Sequence, residues 1–300
     1  MRRDSFDRSG RQSWGFAPVS SRLRFPLMVA LATSLAASSM LVAGSASTPA
    51  GTAAPRLKPE FEFTRLAYAD NSALGFGFGG RRGSWTTDAP EAEEHFMQGL
   101  RRLTRVDAAP EGTYVGPLDP ELFDHPWLYA VEVGRWYLSD EEAGQLREYL
   151  LRGGFLMVDD FHGTLQWEGF MESLRRVFPD RPVVEIPDDH EVFHVLYDLG
   201  GPVTPFNVAV RQDGKSAGGY RKIQIPGVWA VMNGVTYEQD GTTPHWRGIF
   251  DDDGRLMVAI NFNMDMGDAW EHADTPQYPQ MLTALAYRFG VNYVLYAMTH

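Results

Sequence analysis

Three apolar runs, at 127–133, 155–158 and 255–260, constrain this chain more than any other feature. A strand with one solvated face alternates polar and apolar residues; these runs do not, so they need cover on both faces. Strands of that kind lie in the middle of a sheet with helices on either side. The intervening segments supply the helices. Ser139-Asp140-Glu141-Glu142 is a capping box opening a helix through Leu151, which Gly153-Gly154 ends. Asp88 is placed to cap another, with Pro90 in its first turn and Phe96, Leu100 and Leu103 on one face. A helix over 167–178 precedes a strand at 183–186. The last helix is expected from Thr275-Pro276 to Gly290, followed by an apolar segment at 291–297. The segment 61–66 alternates as a first strand. Strands alternating with helices imply a doubly wound, mostly parallel α/β sheet. Short strands with Gly and Pro turns from 204 to 254 point to an antiparallel insertion.

The first 46 residues obey a different logic. Basic residues end at Arg22 and Arg24, residues 25–43 are rich in Leu, Ala, Val and Met, and Ala43-Gly44-Ser45-Ala46 suits a signal peptidase. Thr33, Ser34, Ser38 and Ser39 make the run a weak permanent span. The expected organisation is a secretory signal peptide at 1–46, a flexible leader at 47–58 and one domain at 59–300. The mature chain is then periplasmic or secreted, with no permanent membrane span. Six arginines against two aspartates give the signal +4 of the chain's formal −12, leaving the remainder near about −16. Such a surface repels phosphate backbones, which argues against nucleic acid and favours a divalent cation or a neutral ligand. With no cysteine in the chain, disulfides, thiolate metal sites and a lipid-modified N-terminal Cys are excluded.

Four constellations carry candidate chemistry. Asp159 and Asp160 end a buried strand, with His162 and Glu168 close behind, and a carboxylate pair there can share a proton or grip a cation. Asn261, Asn263 and Asp265 fall on one face of an extended chain, with Asp268, Glu271 and Asp274 following, an oxygen-rich set suited to Ca²⁺ or Mg²⁺. His190-Glu191-Val192-Phe193-His194 matches the zinc pattern in which two imidazoles sit one helical turn apart. The usual third ligand is missing there, since Tyr197 and Gly200 stand where Gly and His are required. Gly75 to Gly80 reads G-x-G-x-x-G, but no helix opens directly behind it, so a loop is the better reading. If the carboxylates after the central strands converge, a bound cation or an arginine such as Arg221 or Arg247 must relieve their repulsion.

Leu138-Ser139-Asp140-Glu141-Glu142, Arg152 to Phe161, Arg176-Val177-Phe178-Pro179, Gly267-Asp268-Ala269-Trp270-Glu271 and the segment from Gly290 to His300 together resemble the bacterial domain of unknown function 4159 family. The resemblance covers 61–300 and implies a flavodoxin-like sheet similar to class I glutamine amidotransferases. It implies no activity; relatives within larger membrane-anchored proteins suggest envelope-associated partners. Amidotransferases of that fold carry a nucleophilic Cys on the turn after a central strand, where this chain reads Asp159-Asp160-Phe161-His162-Gly163. A carboxylate cannot replace the thiolate, so thiol-dependent amidotransferase activity is excluded. The expected function is a non-catalytic envelope module binding a partner protein or small ligand at the strand-end cleft. The alternative is a metal-dependent or carboxylate-based hydrolase acting on an envelope substrate, with Ca, Mg or Zn as the cation.

Overall fold

The three apolar runs become neighbouring central strands. The computed structural model describes residues 58–71, 83–200 and 219–300. In chain order the elements are β1 (Thr64–Leu66), β2 (Ala69–Asp70), α1 (Glu91–Leu103), β3 (Thr113–Val115), β4 (Trp127–Val131), β5 (Trp136–Tyr137), α2 (Asp140–Leu151), β6 (Phe155–Asp159), α3 (Gly163–Val177), β7 (Val184–Glu185), α4 (Val228–Met232), β8 (His245–Phe250), β9 (Leu256–Phe262), α5 (Met266–Glu271) and α6 (Gln280–Thr299). Among the described residues the main sheet runs β3-β1-β4-β6-β9-β8-β7. Its first five strands are parallel, with Tyr129 beside Met157 and Met157 beside Ala259. Counted along the chain, those five lie in the order 2-1-3-4-5 of flavodoxin-like folds. β8 runs antiparallel between β9 and β7, and β2 pairs with β5 in a separate ribbon.

Every residue of β4, β6 and β9 is buried, which explains the missing alternation. Trp127, Tyr129, Phe155 and Met157 pack with Phe96, Trp270 and Phe289 of α1, α5 and α6 on one face. Leu128, Ala130, Leu156 and Val158 pack with Leu146, Phe170 and Leu174 of α2 and α3 on the other. Each buried Leu, Val, Phe or Met among them contributes about 1.5–3 kcal/mol by leaving water.

Local signals held where the chain itself supplies the partner. The capping box opens α2 as read, with Ser139 N–H donating to Glu142 Oε2 at 2.8 Å and Glu142 N–H to Ser139 Oγ at 3.3 Å. They failed where the partner is distant. α3 starts at Gly163, not 167, because Gly163 N–H donates to Asn263 Oδ1 at 2.9 Å and Thr164 N–H to Asp240 Oδ1 at 2.8 Å. Asp88 does not cap α1; Pro90 holds that position, and the Asp88 side chain turns elsewhere. Gly290 does not end a helix either. α6 runs through it unbroken, and the glycine is there because a side chain would collide with Phe96 and Trp270. The expected antiparallel insertion at 204–254 is, in its described part from 219, a short helix α4 and the strand β8, which pairs antiparallel with β9 and β7 in the main sheet. The glycine-rich segment at 75–80 and the stretch 1–46 lie outside the described residues.

Candidate metal centre at the strand ends

The residues that follow three adjacent central strands share a backbone peculiarity. Glu132 after β4, Asp160 after β6 and Asn263 after β9 have φ of 55°, 51° and 64°. The left-handed region costs a non-glycine residue roughly 1–3 kcal/mol and persists only where the surroundings enforce it. Here they do: Asp160 N–H donates to Met264 O at 3.0 Å, and Asn263 N–H to Phe161 O at 3.1 Å, lashing the two turns together. The sharp turns deliver the following side chains to the carboxyl edge of the sheet, where open α/β folds bind ligands.

At that edge carboxylates converge. Potential ligand atoms of Asp160, His162 and Asp265 lie within 4.8 Å of one another, all three residues buried. Asp88, Asp265 and Asp268 form a second such group, and Asp268, Glu271 and His272 a third, half-buried one. Asp265 is fixed by capping α5, its Oδ1 accepting from Asp268 N–H at 2.8 Å, while Asp268 Oδ2 accepts from Val228 N–H at 2.6 Å. Gly227 makes the approach possible. A side chain there would begin 2.5 Å from Asp265 Oδ2 and Glu238 Oε1 and 2.9 Å from Asp268 Oδ2.

Asp159 acts as the anchor beneath this group. Its Oδ2 accepts from Met266 N–H at 2.7 Å, Gly267 N–H at 3.0 Å and Tyr129 O–H at 3.1 Å, tying β6 to the start of α5. Its Oδ1 is buried without a partner. Burial pushes the Asp159 carboxyl up to about 7, against the pull of those three donors. Burial and then the neighbouring carboxylates push Asp88, Asp160 and Asp265 well above the usual carboxylate range. Burial also raises Glu132 and Glu238. It lowers His162, leaving a neutral imidazole whose Nδ1 is unpartnered and whose Nε2 stands 3.3 Å from Asp160 Oδ1. A neutral imidazole among carboxylate oxygens is a ligand set for a divalent cation such as Mn²⁺, Mg²⁺, Ca²⁺ or Zn²⁺.

Among the described residues no lysine or arginine bonds to Asp160, Asp265 or Asp268. Arg65, the nearest buried cation, spends its guanidinium on Glu93 at 2.7 and 2.6 Å and on the Trp85 and Thr87 carbonyls. Arg221 pairs with Asp188 and Arg247 with Glu185, so neither relieves the crowd as expected from the sequence.

Of the sequence candidates, Asp159, Asp160, His162, Asp265, Asp268 and Glu271 are brought together. Glu168 is exposed on α3, away from them. Asn261 and Asn263 serve the fold, accepting from Tyr293 O–H at 2.8 Å and from Gly163 N–H. The segment that matches the zinc pattern is a single 3-10 turn at Glu191–Phe193. His190 Nδ1 accepts from Val192 N–H at 3.2 Å, and His194 Nδ1 lies 3.0 Å from Asp198 Oδ1. Neither joins a three-residue ligand group among the described residues. The sequence reading missed Asp88, Glu132, Glu238 and His272. Glu132 interrupts an apolar run directly after a strand, which was the available signal; Asp88 resembled a helix cap, and Glu238 sits in a turn-rich stretch with no periodicity.

Fold and site together define a flavodoxin-like α/β protein with an acidic, metal-competent centre at the carboxyl edge of its sheet. Residues 62–298 match the family model described as Domain of unknown function (DUF4159), and the chain belongs to that family. A search of curated proteins returned no match. Among the described residues no helix is long and apolar enough to cross a membrane.

Proposed function

We propose that this protein is a divalent-cation-dependent hydrolase with its cation at Asp160, His162 and Asp265. One observation carries the reading: buried carboxylates meet at the sheet's ligand edge with a neutral histidine and no described lysine or arginine bonded to them. Isolated, such a group must take up protons or a cation. A bound cation would polarise a substrate oxygen and acidify a coordinated water. Glu132 and Glu238, whose carboxyls burial raises above the ordinary range, are the groups that would move a proton beside it. Export of the chain, expected from residues 1–46, would make the substrate a component of the cell envelope.

The test uses chelator-stripped protein, millimolar Mg²⁺, Mn²⁺, Ca²⁺ or Zn²⁺, and two chromogenic probes, p-nitrophenyl acetate and p-nitrophenyl phosphate. At least one cation should raise Tm, by up to about 2.7 kcal/mol of stability at a hundredfold excess over Kd, and should switch on turnover of a probe. Asp160→Asn with Asp265→Asn should lose both effects. A melt that no cation moves overturns the reading. A second reading, a cation-stiffened binding module, draws on Trp229 (61% exposed) and Met232 (56% exposed) of α4, next to Gly227. Stabilisation without turnover of either probe favours it.

A further inference from the structure

The three ligand groups overlap, and the overlap has an order. The inner group (Asp160, His162, Asp265) is buried, the middle one (Asp88, Asp265, Asp268) partly so, and the outer one (Asp268, Glu271, His272) half-buried throughout. Asp265 belongs to the first two and Asp268 to the last two, so the sets form a continuous ladder from solvent to interior. We propose that this ladder holds two divalent cations at once, one in the inner and one in the outer group, with Asp265 and Asp268 between them. The inference rests on the cation reading above and extends it from one ion to two.

Three observations support a pair. The first is charge. Asp88, Asp160, Asp265, Asp268 and Glu271 carry five formal negative charges when ionised, and among the described residues no lysine or arginine bonds to Asp160, Asp265, Asp268 or Glu271. One divalent ion leaves most of that repulsion in place; two nearly cancel it.

The second is the outer histidine. His272 Nδ1 meets Thr275 Oγ1 at 3.3 Å, while Nε2 stands 3.7 Å from Asp268 Oδ1 and 3.5 Å from Glu271 Oε2. Those last two separations are too long for good hydrogen bonds, but they suit ligands arranged around an ion. A ring held by one nitrogen with the other turned to carboxylates is the arrangement that orients metal-binding imidazoles.

The third lies at the inner end and concerns atoms that the carboxylate contacts leave unused. His162 is 2% exposed yet leaves Nδ1 without a partner, and Asp159, fully buried, leaves Oδ1 without one. Orphaned buried polar atoms of this kind call for an explanation, and a water or ion held beside the inner group supplies one. Each end of the ladder thus has its own imidazole, the inner one buried and the outer one half-buried.

The experiment is Mn²⁺ titration of the chelator-stripped full chain, read by calorimetry and by equilibrium dialysis. The wild-type chain should bind two Mn²⁺. Glu271→Gln with His272→Ala, both at half-buried positions, should bind one, and its remaining ion should still raise Tm. Asp160→Asn, checked for folding by circular dichroism, should lose the inner ion and keep the outer. Two ions that remain two in the Glu271→Gln, His272→Ala variant overturn the assignment. A single ion in the wild-type chain overturns the pair while leaving the one-cation reading intact, and no ion at all overturns both.

Discussion

Asp159 shows how much one carboxyl group can decide. Its pKa rises from an ordinary 3.8 to about 7 because burial penalises the charged form. The folded chain therefore holds this proton more tightly than the unfolded chain does. The resulting stability is fully present below pH about 4 and is lost as pH rises through about 7, a swing of roughly 4 kcal/mol at most. Cation-free protein should consequently melt higher at pH 5 than at pH 8. Asp159→Asn keeps an oxygen for the Met266 and Gly267 amides but removes the titration. Thermal melts across that range should show a shallower slope for the variant and a higher Tm at pH 8; an unchanged slope would remove Asp159 from this account. The neighbours Asp88, Asp160 and Asp265, raised in the same direction, should preserve part of the slope.

Among the elements, α6 makes the sharpest test. Gly290 sits in its middle, facing Phe96 and Trp270, which themselves pack at a ring-centroid distance of 4.5 Å. Alanine is the better helix former, so an isolated helix would gain about 1 kcal/mol from Gly290→Ala. In the folded protein the added methyl meets two aromatic rings that have nowhere to go, and overpacking of that kind costs about 1–3 kcal/mol. Denaturant titration should therefore find the variant less stable by up to about 2 kcal/mol; a stabilised variant would show that the rings give way. Sequence alone read this glycine as a stop signal, since local propensity cannot see Phe96 from a distance of nearly two hundred residues. The same limit explains α3, whose caps Asn263 and Asp240 lie 100 and 76 residues away from the groups they hold. What was legible came from self-contained patterns: the Ser139–Glu142 box, and the three apolar runs that became β4, β6 and β9. More than half of the candidate site was legible for a related reason. Asp159 and Asp160 directly follow one of those runs and Asp265 and Asp268 lie within eight residues of another, whereas Asp88 and Glu238 reach the site only through the fold.

For the whole molecule, the reading of residues 1–46 as a signal gives a direct prediction. N-terminal sequencing of the protein from its own cells should find a chain beginning near Ser47; an intact 25–43 segment in the membrane fraction would instead establish an anchor. The sheet topology carries a different consequence, one of timing. Parallel pairing joins Leu156 to Val258, and the ligand groups draw on positions from Asp88 to His272, so the centre is closed by some of the longest loops in the domain. Contacts of such sequence separation are slow to form, because chain entropy is spent before they return anything. No fragment of the unfolded chain presents the full ligand set, and the carboxylates do not crowd one another until the last strands dock. A cation that binds there can hold only what has already folded, so its effect belongs to the rate at which the protein comes apart and not to the rate at which it forms.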